Sequence, residues 1–253
     1  MSDQADNHEQ EEQLAEGTLM SHLLELRSRI MKAVVAVVLV FVCLAPFTQR
    51  VFEVVSAPLL AVLPEGSEMI ATDVASPFMT PFKTTFYVAL FLAMPVVLFQ
   101  IWQFVAPGLY KREKRFAIPL LVSSIVLFYT GMAFAYFVVF RLMFTFFANV
   151  VPGGVTMAPD ISAYLGFVLG MFLAFGLAFE VPIATVMLIW SGLVSIKTLR
   201  AGRRYVFLGA FVVGMVLTPP DIFSQTLLAL PMYFLYEGGL IMARIMLPEK
   251  TGE

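Results

Sequence analysis

Few side chains in this sequence could do chemistry, because apolar residues make up 60% of it and charged residues only 13%. Both histidines, His8 and His22, precede the first long apolar stretch. Ser191 lacks the flanking glycine pattern and the nearby base that a serine nucleophile needs. No HExxH pair, CxxC pair or glycine-rich phosphate loop occurs. The sequence predicts no enzyme, and we expect no catalytic residue, metal, cofactor or nucleic-acid partner.

Two carboxylates lie inside apolar stretches and need a physical explanation. Glu180 stands beside Pro182, at a depth where a charged side chain costs roughly 2.5 to 3.5 kcal/mol. It must face a wet cavity, find a partner or hold a proton; a hydrogen bond that stabilises a proline kink is the structural alternative. Glu237 is nearer the end of its stretch and Arg244, so its side chain can extend to the membrane surface.

Two further carboxylates lie among basic residues at the ends of apolar stretches. Glu25 stands four residues before Arg29, which favours a helix ion pair worth roughly 0.2 to 0.5 kcal/mol. Glu113 has two basic residues on each side and could merely lower the charge of a basic loop. Each therefore has a purely structural explanation.

The elements that position these residues are apolar helices. Six long apolar stretches predict an all-α, polytopic membrane protein, with spans at about residues 30–47, 86–105, 116–140, 161–190, 205–217 and 223–242. They form a membrane domain over about 18–246, which opens with an interfacial helix from Thr18. We expect 1–17 to be a disordered acidic tail, 48–83 a compact exoplasmic cap, and 247–253 a short cytoplasmic tail.

Lysine and arginine fix the predicted orientation of these spans. Of the 16 basic residues, only Arg50, Lys83 and Arg141 fall on one side of the six stretches, and the other 13 fall on the opposite side. Segments rich in basic residues stay in the cytoplasm. Both termini are therefore predicted to be cytoplasmic.

The fifth span and the turn that follows it are unusual. Residues 205–217 number only 13, whereas a helix needs about 20 to cross a normal hydrocarbon core. Either the helix is tightly braced or the bilayer thins locally. Pro219 and Pro220 end the fifth helix, and Asp221 can cap the next one. This short connection predicts an antiparallel hairpin of spans five and six.

Several separate segments, in the correct order, resemble the TatC family, and in particular its proteobacterial branch. They are His22-Leu23-Leu24-Glu25-Leu26-Arg27, Ile70-Ala71-Thr72-Asp73-Val74-Ala75-Ser76-Pro77-Phe78, Ala106-Pro107-Gly108-Leu109-Tyr110, Phe179-Glu180-Val181-Pro182 and Leu217-Thr218-Pro219-Pro220-Asp221. The resemblance covers about Thr18 to Ala243. Arg141 departs from it, because the family pattern leads us to expect proline there.

The resemblance implies a cupped bundle of six spans in the bacterial inner membrane. Such a protein is the receptor for twin-arginine signal peptides in the translocase that exports folded proteins, driven by the proton-motive force. Carried onto this sequence, Glu25 and Glu113 would bind the signal, and Arg27 and Phe104 would belong to the same site. Glu180 would lie on the concave face.

The resemblance also implies partners in the membrane. Met215, Thr218 and Gln225 would dock a single-span helix of TatA or TatB type. Six helices of about 10 Å diameter enclose a lumen of only about 10 Å, whereas a 100-residue folded domain has a radius of gyration near 13 Å. For a folded cargo to pass, partner helices must therefore assemble or the bilayer must yield, and we expect multiple copies of the protein in the complex.

Two other functions remain open on the residues alone. A proton-coupled transporter of small solutes would use Glu180 as its proton carrier, although spans one to three do not repeat in spans four to six. A structural scaffold for other membrane subunits is the second alternative. Binding of a signal peptide distinguishes the receptor from both.

Overall fold

The structure, a computed structural model, describes residues 2–60, 69–105, 114–150, 158–217 and 222–246. Ten α-helices are found in these ranges: α1 Ser2–Leu44, α2 Thr48–Leu60, α3 Ser76–Val105, α4 Lys114–Phe134, α5 Phe140–Val150, α6 Ile161–Ala178, α7 Val181–Trp190, α8 Ile196–Ala201, α9 Arg203–Leu217 and α10 Ile222–Met246. The only β pairing in the described residues is an isolated bridge between Ile70 and Asp160. The predicted all-α fold class is confirmed.

Five helical segments are long and apolar enough to cross a membrane, judged by length and composition. They are Leu23–Ala57, Ser76–Phe104, Ile118–Phe146, Ile161–Trp190 and Ile222–Ile245. They correspond to five of the six predicted spans. The remaining one, α9, has 15 residues and a length of about 22 Å, so the count of six crossings stays a prediction.

The first helix begins earlier than predicted, and the helical path continues past its end. α1 begins at Ser2, in the segment for which the sequence predicted a disordered tail; its alanine, glutamate and glutamine residues have high helix propensity and can prolong an existing helix. At the other end, a 3₁₀ turn at Ala45–Phe47 contains Pro46 and leads into α2. The predicted cap therefore begins as a helix that packs on α3.

The second and third spans are also longer than predicted. α3 starts at Ser76 rather than near residue 86, because Pro77 occupies a first-turn position where its missing N–H costs nothing. A π-helical turn at Ala135–Val139 joins α4 to α5. The helical path thus continues past Arg141 to Val150.

The predicted fourth span is two helices in sequence. α6 ends at Ala178 and α7 starts at Val181, with Pro182 in its first turn. Since proline cannot donate to a preceding carbonyl, the helix breaks at this point. Glu180 is the residue immediately before α7.

Close packing holds the helices in an antiparallel order along much of the chain. α1 lies on α3 with Phe41 against Phe86, at 6.1 Å between ring centroids. α4 lies on α6, where Gly176 leaves room for the fully buried ring of Phe128. A cluster of large apolar side chains joins α3, α4, α6 and α7 around Phe91 and Phe128. This core fixes the ends of the helices relative to one another.

Candidate functional site

Arg29 connects α1 to the last turns of α3. Its Nη2 donates to Glu25 Oε1 at 3.2 Å, and its Nη1 donates to Gln100 Oε1 at 3.4 Å and to Gln103 Oε1. The Arg29 side chain is 23% exposed and that of Glu25 is 36% exposed. The predicted ion pair is confirmed, and the two glutamines add a link between helices that the sequence did not predict. Glu25 is therefore positioned but still accessible.

The other residues predicted for signal binding lie close to this cluster in the sequence. Arg27 is exposed on α1. Phe104 is half-buried in the last turn of α3, directly after Gln103. Glu113 lies outside the described residues. The structure thus brings the neighbourhoods of Glu25 and Phe104 together through Arg29.

Glu180 is held at the break between α6 and α7. Ser124 on α4 donates from its Oγ to Glu180 Oε2. The other carboxylate oxygen, Oε1, is buried and accepts no hydrogen bond from the described residues. The polar partner predicted for this carboxylate is therefore Ser124, and half of its accepting capacity remains unused.

The hairpin of α9 and α10 is confirmed as an antiparallel pair. Gly214 on α9 faces Gln225 on α10, and a Cβ at Gly214 would lie 3.4 Å from the Gln225 carbonyl oxygen. Next to this contact, Met215 is 56% exposed. Thr218, Pro219, Pro220 and Asp221 lie outside the described residues. Met215 therefore directly follows the residue that faces Gln225 near the tip of the hairpin.

An apolar groove of about 770 Å³ runs between α6 and α9. Small residues, glycine and alanine, leave this space open, and larger aliphatic side chains form its walls. The lining residues are Gly170, Leu173, Ala174, Leu177, Val206, Gly209, Ala210, Val213 and Val216 from these two helices, with Tyr87, Val181 and Met232 among those from neighbouring ones. We call this feature the α6–α9 groove.

Glu237 forms a second polar cluster at the start of α9. Its Oε2 accepts from Arg203 Nη2 at 2.6 Å, and its Oε1 accepts from the Tyr233 hydroxyl at 3.0 Å. The nearby Tyr236 hydroxyl donates to the Leu199 carbonyl at 2.6 Å. Arg203, rather than the Arg244 noted in the sequence, is therefore the ion-pair partner of Glu237.

Asp160 fastens the segment before α3 to the start of α6. One carboxylate oxygen caps α6 by accepting from the Ser162 and Ala163 amides at 3.0 and 2.8 Å; the other accepts from the Thr72 amide and hydroxyl at 3.0 and 2.7 Å. The hydrogen bonds from Ala163 and Thr72 lower the pKa of Asp160 to about 2. The carboxylate therefore stays ionised far below neutral pH.

Comparison with known proteins decides the family. The sequence profile of the family described as "Sec-independent protein translocase protein (TatC)" matches residues 21–231. The chain belongs to the TatC family. Members of this family are non-enzymatic components of a protein translocase and work with other Tat subunits.

Relatives within the TatC family are similar over nearly their whole length. The chain is 62% identical to the Azotobacter chroococcum protein over 88% of this chain and 87% of that one. It is 58% identical to the Escherichia coli K12 protein over 89% and 88% of the two chains, and 54% identical to that of Haemophilus influenzae over 91% and 90%. The resemblance to the proteobacterial branch is thereby confirmed.

A solved member of the TatC family has the same fold. A crystal structure of the twin arginine translocase receptor TatC superimposes with a TM-score of 0.80 at 36% identity, over 88% of this chain and 98% of that one. A second crystal structure of such a receptor, in the detergent DDM, gives a TM-score of 0.79 at 34% identity. The protein is therefore a multi-spanning membrane component of a translocase.

Sequence reasoning missed the partners that position the two predicted carboxylates. Gln100 and Gln103 are three residues apart and so share one face of α3, which was the available signal for a polar contact on that helix. Ser124 is one of two adjacent serines in an apolar stretch. Nothing in its spacing relates it to Glu180, which follows 56 residues later.

Proposed function

We propose that this protein is the receptor and core subunit of the twin-arginine translocase. It binds the twin-arginine signal peptides of folded cargo proteins, organises single-span partners of TatA and TatB type, and supports export driven by the proton-motive force. Membership of the TatC family and the likeness to two receptor structures support this proposal. The family is a translocase family, so neither a small-solute transporter nor a passive scaffold gains support.

The observation that carries the proposal is the arrangement of Glu25. Arg29 holds one carboxylate oxygen, Oε1, while more than a third of the side chain remains exposed. Arg29 itself is anchored to α3 by two glutamines, so the carboxylate is presented from a fixed helix pair. An arginine of a signal peptide can then donate its planar fork to a carboxylate already in position. Glu113 completes this site in our proposal.

Selectivity for arginine is the expected property of such a site. Exposed ion pairs are worth only about 0 to 1 kcal/mol each, so the carboxylates discriminate arginine from lysine without supplying most of the affinity. The apolar segment of the signal supplies the rest, at roughly 0.8 kcal/mol per buried CH₂. A twin-lysine signal should therefore bind, but several-fold more weakly.

Photocrosslinking tests this receptor site. A photoreactive residue in place of Leu24, which is exposed next to Glu25, should capture a twin-arginine signal peptide more strongly than a twin-lysine one. Glu25→Gln should reduce that preference by up to about fivefold, which is the loss of one exposed charge pair. Equal capture of both peptides by the unmodified site would refute the proposal.

Glu53 provides a matched control for this experiment. It is also an exposed glutamate paired with an arginine on its own helix, because Arg50 Nη1 lies 3.3 Å from Glu53 Oε2. Glu53→Gln removes the same charge far from α3's last turns and should leave the arginine preference unchanged. An equal loss of arginine preference in Glu25→Gln and Glu53→Gln would mean that the carboxylates attract the signal only through the overall negative charge of the protein.

Single-span partners should dock at the hairpin tip and along the α6–α9 groove. Met215 and Val216 are 56% and 77% exposed on α9, and Val216 also lines the groove. A transmembrane helix that packs on this face can hydrogen-bond with Gln225 while its apolar side chains enter the groove. Thr218, outside the described residues, belongs to the same proposed docking site.

The orientation of the chain is part of the proposal: both termini in the cytoplasm of a bacterium, with six crossings of the inner membrane. Cysteine labelling tests it after replacement of the exposed Cys43 by alanine. Val74→Cys, at a position 99% exposed, should react with an impermeant reagent added outside the membrane, and Leu193→Cys, 74% exposed, only from the cytoplasmic side. The reverse pattern would overturn the orientation.

A further inference from the structure

Three arginines surround a small concavity where α8 ends, α9 begins and α10 completes its last turns. The cavity has a volume of about 180 Å³ and is lined by Arg200, Arg203, Leu240, Ile241 and Arg244. Leu240 is buried and forms part of the apolar wall. We call this feature the arginine pocket.

The positive charge of the arginine pocket is mostly uncompensated. Glu237 pairs with Arg203 and also accepts a hydrogen bond from Tyr233, so its single negative charge balances at most one of the three arginines. In the parts of the chain that the structure describes, no ion pair is found for Arg200 or Arg244. Two guanidinium groups therefore face one small cavity without an anion from the described residues.

Apolar side chains continue from the rim of the arginine pocket along α10. Ile241 and Ile245 are 58% and 76% exposed, and the apolar segment of α10 runs from Ile222 to Ile245. The pocket thus lies where the apolar surface ends. At such a boundary a phosphate group and hydrocarbon chains can be bound side by side.

We propose that the arginine pocket binds the phosphate of an anionic phospholipid headgroup, whose acyl chains lie along Ile241 and Ile245. Guanidinium groups present paired donors that match phosphate oxygens. Basic pockets between membrane helices on the cytoplasmic side bind acidic headgroups in this manner. A free phosphate ion would use the arginines equally well, but it gains nothing from the exposed isoleucines, which favours the lipid.

The test measures lipid association with the full-length protein in phosphatidylcholine nanodiscs. Spin-labelled phosphatidylglycerol should be immobilised by the protein in preference to spin-labelled phosphatidylcholine. Arg200→Gln and Arg244→Gln should each lower the relative association constant for phosphatidylglycerol by up to about fivefold, the effect of losing one direct charge pair with the phosphate. Gel filtration and thermal stability of each variant verify that the fold is retained.

Arg204→Gln is the matched control. Arg204 lies at the same end of α9, but its guanidinium carbon stands 4.9 Å from the ring centroid of Tyr205 and its Nη2 donates to the Tyr205 hydroxyl. Removal of this charge should leave lipid selectivity within twofold of the original. Equal losses in all three variants would show attraction by diffuse surface charge and would overturn the proposed pocket.

Competition with inorganic phosphate distinguishes a lipid phosphate from a free phosphate ion as the ligand of the arginine pocket. Millimolar phosphate at constant ionic strength should not displace phosphatidylglycerol from the original protein. If phosphate displaces the lipid, and binds in lipid-neutral nanodiscs with the same dependence on Arg200 and Arg244, the ligand is the free ion and the lipid proposal is wrong. Absence of any preference for phosphatidylglycerol would overturn it as well.

Discussion

Gly239 allows the backbone of α10 to approach the start of α7. An ideal Cβ at this position would lie 2.8 Å from Pro182 Cα and 3.1 Å from Thr185 Cβ. Ordinary contact begins near 3.4 Å, so Gly239→Ala must push the two helices apart by more than half an ångström. At Gly238, the preceding residue, an added Cβ would have no neighbouring heavy atom within 4 Å.

The two alanine substitutions form a pair that isolates the cost of the steric clash. Both replace glycine inside one helix, so both gain about 0.5 to 1 kcal/mol from helix propensity. Only Gly239→Ala adds overpacking against a backbone atom, at about 1 to 3 kcal/mol. The free energy of unfolding should therefore be about 1 to 3 kcal/mol lower for Gly239→Ala than for Gly238→Ala.

Thermal unfolding of the purified variants in one detergent measures this difference. Gly238→Ala should unfold at or above the temperature of the original protein, and Gly239→Ala clearly below it. Equal stabilities would mean that α7 and α10 can separate at no cost. The close packing that places Glu180 beside the α7–α10 contact would then not be rigid.

Two further predictions concern carboxylates. Asp160 contributes stability that is complete above the ordinary pKa of 3.8 and is lost as pH falls through about 2. The protection factor of the Thr72 amide, which corrects for the intrinsic pH dependence of exchange, should therefore fall only in that acid range, and Asp160→Asn should remove this fall; a protection factor already reduced near pH 6 would contradict the prediction. Glu180→Gln keeps a hydrogen-bonding group next to Ser124 and should retain substantial export, whereas Glu180→Leu should impair export more than signal binding. Ser123→Ala, next to Ser124, serves as the control. Full export by Glu180→Leu would deny Glu180 a transport role.

Local patterns in the sequence predicted the features that depend on neighbouring residues. The pair of Glu25 and Arg29 follows from a spacing of four on a helix. The hairpin of α9 and α10 follows from the short proline-containing connection. Pro182 indicated at most a kink in the fourth span, which the structure shows as a break before α7. Each of these is decided within a few residues, so composition and spacing suffice.

Contacts between distant segments could not be predicted in the same way. Arg29 reaches Gln100 and Gln103 more than 70 residues away, and several polar side chains could have been its partner. The helices also exceed their predicted ends, because Pro77 is tolerated in a first turn and a π turn carries α4 into α5. Glu113 and Thr218 remain predictions from the family resemblance.

The short helix α9 connects the proposed binding surfaces with the behaviour of the bilayer. It is about 22 Å long, against about 30 Å for a typical hydrocarbon core. The structure packs one face on α10, where Ala210 and Gly214 are buried, and leaves Leu208 and Val216 more than 60% exposed. Helices of the same chain therefore brace one face of α9 and leave the other face for a docked partner helix or for lipid.

In our proposal α9 crosses the membrane, so either a docked partner helix braces its exposed face or the bilayer thins around its ends. Mismatch costs on the order of fractions of a kcal/mol per Å, so about 8 Å of it amounts to a few kcal/mol. Arg203, at the first residue of α9, lines the arginine pocket; a headgroup held there would fix the level of one leaflet at the start of the short helix. The lipid site and the short span would then act together, because the bound phosphate draws the membrane surface toward a helix that cannot reach it.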